Sequence, residues 1–230
     1  ANKKIIDSFI TSQPSRILET FMNLGSNDLL KHIGVTTYET IVGFLLGTVL
    51  GIIIAIILWW SDFLAKVLDP YLVVLNSLPK VALGPVIIIW VGAGTPAIIV
   101  MAVAISLVVT ILENLNGFLR TDKELIKMAR TFKASKLQIL LKIIIPANIS
   151  TFINSLKVNI GLSLVGVISG EFLVSKAGLG YLIVYGGQVF KLDLVMTSVL
   201  ILGLLAGIMY LAVLLLEKFI LKTKKVQVKK

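Results

Sequence analysis

Residues 41–60 read IVGFLLGTVLGIIIAIILWW, and Thr48 is the only polar side chain among them besides the glycines. About 20 apolar residues in a helix cross a hydrocarbon core that is about 30 Å thick. A helix that is apolar on every face has to be surrounded by protein or lipid. The stretch therefore predicts a membrane-spanning helix, and it sets the class of the whole fold.

Four further stretches are long and apolar enough to be spans: residues 68–92, 97–115, 149–174 and 194–216. Composition agrees, with 57% hydrophobic residues, 15% charged residues and a mean hydropathy of +0.99, whereas a soluble domain carries about 25% charged residues. We expect an all-α polytopic membrane protein with five spans in this chain. The second span is interrupted by polar residues and prolines, namely Asn76, Ser77, Pro79, Lys80 and Pro85.

The formal charge of +10 is concentrated at the ends of apolar runs. Seven of the 22 Lys and Arg residues fall in residues 120–142 and six in the basic tail, residues 218–230. This is the distribution of the positive-inside bias of membrane proteins. We therefore expect a lipid bilayer as the partner of this chain, and no nucleic acid.

The same bias predicts the orientation of the spans. With residues 120–142 and 218–230 in the cytoplasm, residues 62–67 are also inside, and residues 92–95 and 175–193 are outside. Residues 1–40 then form an outer interfacial segment before a transmembrane domain at residues 41–230. This register also predicts a further span upstream of the first one.

Residue types needed for chemistry are scarce in this chain. It has no cysteine and one histidine, His32, which we interpret as a surface or interfacial side chain. No H-E-x-x-H, G-x-S-x-G or G-x-x-x-x-G-K-[ST] motif occurs, so we expect no catalytic residue, no metal site and no ATP site. Energy for any active process has to come from a partner.

The segment between the third and fourth spans contains two amphipathic helices. Thr121 with Glu124 and Ser135 with Gln138 have the S/T-x-x-E/Q spacing of a capping box. The first helix aligns Leu125, Met128, Ala129 and Phe132 on one face, and the second aligns Leu137, Leu140, Leu141 and Ile144. Pro146 stops or kinks the second helix. The apolar faces either rest on lipid and the ends of the spans or dock into a groove on a cytosolic protein.

The spacing within this segment resembles that of a known family. Residues 127–129 (KMA), Lys133 and residues 143–146 (IIIP) match the positions of the E-A-A-x3-G-x9-I-x-L-P loop of permease subunits of binding-protein-dependent ABC importers. Residues 129–135 (ARTFKAS) resemble the A-R-T-L-G-A-S form of permeases for nitrate, sulfonate, taurine, bicarbonate and certain vitamin precursors. The stretches 78–85, 89–94, 170–173 and 178–183 follow in the order of that family, so the resemblance covers nearly the whole chain.

The resemblance implies a type I ABC importer-like permease fold in the bacterial cytoplasmic (inner) membrane. It implies ABC ATPase subunits that bind ATP and Mg, an extracytoplasmic solute-binding protein, and a second permease subunit, with a homodimer expected. It places the ATPase contact in the coupling segment, residues 120–146. The residues of that contact are Leu125, Lys127, Met128, Ala129, Arg130, Thr131, Phe132, Lys133, Ala134 and Ser135.

Three positions depart from the family pattern. Lys127 stands where the family has Glu, Met128 where it has Ala, and Lys133 where it has Gly. A glycine between two helices commonly adopts a left-handed conformation, which costs a residue with a β-carbon about 1–2 kcal/mol. Either Lys133 carries that strain or the turn differs here, so the location of the interface transfers and its detailed contacts do not.

Polar residues within the spans are candidates for the solute route. Ser155, Asn159 and Ser163 recur every four residues in the fourth span. They form either a hydrogen-bonded packing seam or, as we favour, the lining of a route for a polar solute. Further candidates are Asn76, Ser77, Lys80 and Glu171. Lys80 either snorkels to an interface or gives the route a positive charge suited to an anion, and Glu171 is a candidate for an outer gate.

Small residues at four-residue spacing predict close contact between helix backbones. They occur in the first, fourth and fifth spans, as Gly43, Gly47 and Gly51, as Gly166 and Gly170, and as Gly203 and Gly207.

The function that we expect is that of the transmembrane subunit of an ATP-driven importer for a small polar solute, with anions among the candidates. The alternative is a self-contained secondary transporter or channel. It explains the polar residues within the spans, but it has no evident need for a capped amphipathic segment inside the cell. Co-purification of an ATPase subunit distinguishes the two.

Overall fold

The computed structural model describes residues 28–227, and it describes side chains as far as residue 220. The first helix, α1 (Leu29–Trp60), begins well before the predicted span. Residues 29–40, which the sequence assigned to the outer segment, continue the same helix as the predicted span. The rest of the predicted outer segment, residues 1–27, and the last three residues of the basic tail lie outside the described residues.

The described residues form helices without any strand. After α1 come α2 (Asp62–Ser77), a 3-10 turn (Lys80–Leu83), α3 (Gly84–Val91), α4 (Thr95–Arg120) and α5 (Lys123–Thr131). Next is α6, built from Lys136–Ile139, a π-helical Leu140–Ile144 and Ile145–Ala147. The chain ends with α7 (Ile149–Val174), α8 (Leu179–Gln188) and α9 (Leu192–Gln227).

Four helices of the described chain are long and apolar enough to cross a membrane: α1, α4, α7 and Leu192–Ile220 of α9. The stretch predicted as the second span is instead a pair of helical pieces, Asp62–Ser77 and Lys80–Val91, which meet at an angle of 88°. The break falls at Leu78, whose backbone is extended (ψ 138°) before Pro79. This conformation is expected of a residue that precedes proline, and it ends α2.

The centre of the bundle consists of α1, α4 and α7, which pack against one another. Glycines make the contacts close. A Cβ added to Gly166 on α7 would lie 2.5 Å from the Cα of Ala102 on α4, and one added to Gly43 on α1 would lie 2.6 Å from the Cβ of Ala102. The prediction of close backbone contact is confirmed for α1 and α7. Gly203 and Gly207 on α9 meet nothing within 4 Å in the described chain.

Two apolar clusters lie at opposite ends of this bundle. One cluster includes Leu58, Phe118 and Ile144, next to the segment that joins α4 to α7. The other includes Leu29 and Leu179, at the start of α1 and α8. Large apolar side chains also cover the outside of α1 and α9, as expected of helices in lipid or at subunit contacts, where the surroundings are themselves apolar.

Candidate functional site: the segment between α4 and α7

The segment that joins α4 to α7 begins with a helix cap that differs from the predicted one. The N-cap of α5 is Asp122, whose carboxylate accepts a hydrogen bond from the backbone N–H of Glu124 at 2.8 Å. Thr121 donates to the carbonyl of Gly117 instead, and accepts from the side chain of Asn148 at 2.8 Å. The predicted capping box at Thr121 is therefore wrong, because a long-range partner takes its hydroxyl group.

The second predicted cap is confirmed. The hydroxyl of Ser135 accepts from the N–H of Gln138 at 3.2 Å, and the side chain of Gln138 accepts from the N–H of Ser135 at 2.8 Å. Both N-terminal donors are thus satisfied within four residues, which fixes the start of α6. The helix then passes through a π-helical turn, Leu140–Ile144, before Pro146.

Lys133 adopts the left-handed conformation that the family's glycine position suggests. Its φ is 57°, and its N–H bonds to the carbonyl of Arg130 at 2.9 Å. The N–H of Ala134 bonds back to the carbonyl of Ala129 at 3.0 Å. These two bonds form a Schellman motif that ends α5. Lys133 therefore carries the backbone strain of about 1–2 kcal/mol that a glycine would avoid.

The α5 helix turns one side to the bundle and leaves an apolar side uncovered. Ile126 and Ala129 pack against the cluster around Phe118. Leu125, Met128 and Phe132 are exposed, and Phe132 has 78% of its surface accessible. We call these three side chains the docking patch. The apolar face of α5 was expected either to rest on the spans or to dock into another protein. Only its inward-pointing residues rest on the spans.

The predicted apolar face of α6 divides in the same way. Leu140 and Ile144 are buried in the cluster around Phe118, whereas Leu137 and Leu141 are exposed. The segment is thus held on the spans along one edge and presents apolar side chains along the other.

Two polar contacts tie this segment to the ends of three spans. The ammonium group of Lys136 donates to the carbonyl of Trp60 at 2.6 Å and lies 5.7 Å from the ring of Trp59. A cation there is favourable because the last carbonyls of α1 carry partial negative charge. Asn148 bonds to Thr121 and so joins the end of α4 to the start of α7. A displacement of the segment would therefore reach α1, α4 and α7 directly.

The stripe predicted on α7 lies in the interior of the bundle. Ser155, Asn159 and Ser163 are all buried. The amide of Asn114 on α4 donates to Ser155 at 3.1 Å, and the amide of Asn159 donates to Thr48 on α1 at 2.6 Å. In this conformation Ser155 and Asn159 form a hydrogen-bonded packing seam, whereas the hydroxyl of Ser163 has no partner among the described residues. The role of the stripe in a solute route stays a prediction.

Glu171 is placed at the opposite end of α7, where it holds the start of α8. Its carboxylate accepts from the hydroxyl of Thr36 at 2.6 Å and from the N–H of Gly180 at 2.5 Å. Gly178 has a φ of 119°, and a Cβ there would collide with the carboxyl group of Glu171. The glycines around Leu179 are therefore required by close approach of this carboxylate. The gate role of Glu171 stays a prediction.

His32 completes the same anchor, and its interpretation as a surface side chain was wrong. It is buried, its Nδ1 accepts from the N–H of Gly178 at 2.8 Å, and its ring stacks on Tyr181 at 5.7 Å. The N–H of Leu179 bonds to Thr36 at 2.8 Å. Side chains of α1 and α7 thus satisfy the first amides of α8, which have no partner within their own helix.

The polar residues of the broken span lie at its bend rather than in a closed site. Asn76 and Ser77 are exposed, and Ser77 donates to the carbonyl of Val73 at 3.0 Å. The ammonium group of Lys80 donates to the carbonyl of Asn76 at 3.0 Å. Lys80 therefore closes an open end of α2 in this conformation.

Sequence reasoning missed a polar cavity of about 530 Å³ between the last turns of α4 and the first turns of α7. Two of its residues, Glu113 and Asn116, precede Arg120 at helical spacing on α4. That stripe was the available signal, but Glu113 lies two residues before the end of the predicted third span and Asn116 lies just beyond it. Asn154 lines the cavity from α7.

Comparisons with known proteins agree with the helical fold. The family described as "binding-protein-dependent transport system inner membrane component" matches residues 47–225. A probable ABC transporter permease protein of Haemophilus influenzae is 33% identical over 193 residues, which are 84% of this chain and 79% of the relative. A putative aliphatic sulfonates transport permease protein of Bacillus subtilis is 27% identical, covering 95% of this chain and 79% of the relative.

A third relative has another solute in its name. It is a formylaminopyrimidine transport permease protein of Halalkalibacterium halodurans, which is 24% identical over 95% of this chain and 88% of its own length. Among solved structures, a chain of the MetNI methionine ABC transporter in an inward-facing conformation superposes with a TM-score of 0.73. That match covers 85% of this chain and 95% of the other at 20% identity, and it supports the fold.

Proposed function

Because the chain belongs to the family of binding-protein-dependent transport system inner membrane components, and is thus an ABC transporter permease, we propose that it forms the membrane pathway of an ATP-driven importer. Permeases of this family are not themselves catalytic. ATP and Mg are bound by a separate ATPase subunit. The pathway carries a small polar solute, as the sulfonate and formylaminopyrimidine permeases among its relatives do by name.

The observation that carries this proposal is the docking patch on α5. Three large apolar side chains, Leu125, Met128 and Phe132, are exposed at the end of the bundle that has the basic segments. Exposed apolar side chains on a charged helix surface are typical of a protein contact. The ATPase subunit covers this patch. The other residues of the predicted ATPase contact lie around the patch.

Force passes from the ATPase to the spans through the contacts of α5 and α6. Ala129 packs against the cluster around Phe118, and Lys136 and Asn148 hold the ends of α1, α4 and α7. Closure of the paired ATPase subunits on ATP moves this segment, and the spans alternate between outward and inward access. Such coupling requires that the ATPase contact differ between the two states.

The orientation predicted from the basic segments sets the positions of the other partners. α2 and α3 together make one broken span, which gives five spans in the bacterial cytoplasmic membrane. The end of the bundle with Glu171 and His32 faces outward and receives solute from an extracytoplasmic binding protein. A second copy of this chain completes the pathway, with apolar side chains of α9 such as Leu204 and Ile208 available for contact with it or with lipid.

The test is purification of the tagged permease from its own cells in mild detergent, followed by reconstitution with the proteins that accompany it. We expect an ATPase subunit to co-purify and solute uptake to require ATP. Uptake by the purified permease alone, driven by an ion gradient or by the solute gradient, would instead establish the secondary transporter or channel.

A further inference from the structure

Two polar stripes line the cavity at the inner end of the bundle. One stripe lies on α4 and the other on α7, with Leu125 of α5 at the rim. The cavity has a volume of about 530 Å³, which lies within the range of about 300–1,000 Å³ for small-molecule sites. The full lining is Glu113, Asn116, Gly117, Arg120, Thr121, Asp122, Leu125, Ala147, Asn148, Thr151 and Asn154.

Glu113 is the charged residue that lies deepest in this cavity. It precedes Arg120 by seven positions on α4, which places it about 10 Å further into the membrane at 1.5 Å per residue. Its Oε2 atom is buried, and it has no hydrogen-bond partner among the described residues. An acid within a span is normally paired or faces a pathway, and a buried acceptor without a partner destabilises the protein.

The other charges within the spans lie in different surroundings. Lys157 on α7 forms an ion pair of 2.7 Å with Glu217 on α9. Glu171 accepts hydrogen bonds from Thr36 and Gly180. Glu39 is fully buried in the bundle, and neither of its carboxylate oxygens has a hydrogen-bond partner among the described residues. Glu113 differs from all of these because it borders an open cavity whose opposite wall, Thr151 and Asn154, is polar.

We infer that this cavity is the inner solute site of the permease, and that the solute presents N–H donors, as an amine or an aminated heteroaromatic ring does, to Glu113. The inference rests on the proposed importer function. An ionised carboxylate only accepts hydrogen bonds, so it selects a donor and repels a compact anion such as nitrate or a sulfonate. The amides of Asn116 and Asn154 and the hydroxyl of Thr151 serve the remaining polar atoms of the solute.

The charge of the cavity supports the same class of solute. Its lining contains two acids, Glu113 and Asp122, and one base, Arg120, which is at the mouth. The lysine considered from sequence as an attraction for anions, Lys80, is on the broken span and bonds to Asn76. The inner site therefore lacks the excess of positive charge that would favour binding of a small anion.

The test measures binding of two radiolabelled probes to the permease with its co-purified ATPase in nanodiscs, without nucleotide. The probes are 4-amino-5-hydroxymethyl-2-methylpyrimidine and ethanesulfonate. The wild type is expected to bind the aminopyrimidine and not the sulfonate. Glu113→Gln keeps the shape of the side chain but loses its charge, and it is expected to weaken aminopyrimidine binding by about tenfold.

A second variant and a matched control make the result specific. Asn154→Ala, on the opposite wall, is expected to weaken the same probe by several-fold. Glu124→Gln removes an exposed acid of α5 that does not line the cavity, and it is expected to leave the dissociation constant unchanged. Binding of ethanesulfonate by the wild type in preference to the aminopyrimidine, or equal binding by wild type and Glu113→Gln, would overturn the inference.

The outcome separates this inference from the importer function. A permease that purifies without any ATPase would refute the importer. A complex that contains the ATPase but prefers the sulfonate would refute only the assignment of the solute class.

Discussion

Replacing Phe132 with aspartate is expected to release the ATPase subunit from the permease. Phe132 has 78% of its surface exposed in the chain, and in the proposed complex the ATPase subunit buries it. Aromatic anchors at interface centres contribute about 2–4 kcal/mol, which corresponds to a loss of roughly 30-fold or more in affinity. A buried aspartate without a partner weakens the contact further. The measurement is the amount of ATPase retained on the tagged permease, together with ATP-dependent uptake.

The chain offers a closely matched control for this variant. Phe190 is 73% exposed but lies between α8 and α9, at the end of the bundle opposite to α5. Its φ of 57° is one that aspartate tolerates, so Phe190→Asp is expected to retain the ATPase. Equal retention of ATPase by Phe132→Asp and the wild type would show that α5 does not dock there.

Replacing Gly166 with valine is expected to prevent folding of the bundle. The added Cβ would lie 2.5 Å from the Cα of Ala102 and 3.2 Å from the carbonyl oxygen of Met101. Both atoms belong to the backbone of α4, so no rotamer change relieves the contact and the two helices have to separate. Overpacking typically costs about 1–3 kcal/mol, and contact with a rigid helix backbone places this variant at or above the upper end. The measurement is fluorescence-detected size exclusion after graded heating in detergent.

Gly161→Val is the matched control, because it makes the same exchange on the same helix. A Cβ at Gly161 meets nothing within 4 Å in the described chain, so this variant is expected to elute as a single species and to melt close to the wild-type temperature. If both variants melted alike, the close contact between α4 and α7 would not be what stabilises the bundle.

The features that could be predicted from sequence are those fixed by short-range physics. Residues 41–60 are apolar on every face and long enough to cross a membrane, so their sequence alone predicts a span. The cap at Ser135 depends only on the residues of its own first turn. At Lys133 the family's glycine left two possibilities, a strained lysine or a different turn, and the structure has the strained one. Pro79 has no N–H group and restricts the backbone of the residue before it, so a break in the second span near this position could also be expected.

The features that could not be predicted depend on which helices become neighbours. Thr121 has the spacing of a cap, but Asn148, which is distant in sequence, takes its hydroxyl group. Ser155 and Asn159 form a polar stripe, and the sequence does not say whether such a stripe faces α1 and α4 or a water-filled route. Glu113 was overlooked for the same reason, because its significance lies in the cavity that it borders and in its Oε2 atom, which has no hydrogen-bond partner among the described residues.

The proposed mechanism requires that the docking patch lie on the cytoplasmic side of the membrane. The chain has no cysteine, so Met128→Cys introduces a single thiol on the exposed surface of α5, and Ser175→Cys introduces one at the opposite end. In cells that produce the permease without its ATPase, so that the docking patch is uncovered, a membrane-impermeant maleimide is expected to label position 128 in inside-out vesicles but not in intact cells, and position 175 in intact cells but not in those vesicles. Labelling of position 128 from outside intact cells would contradict the assignment of the α5–α6 segment as the ATPase contact.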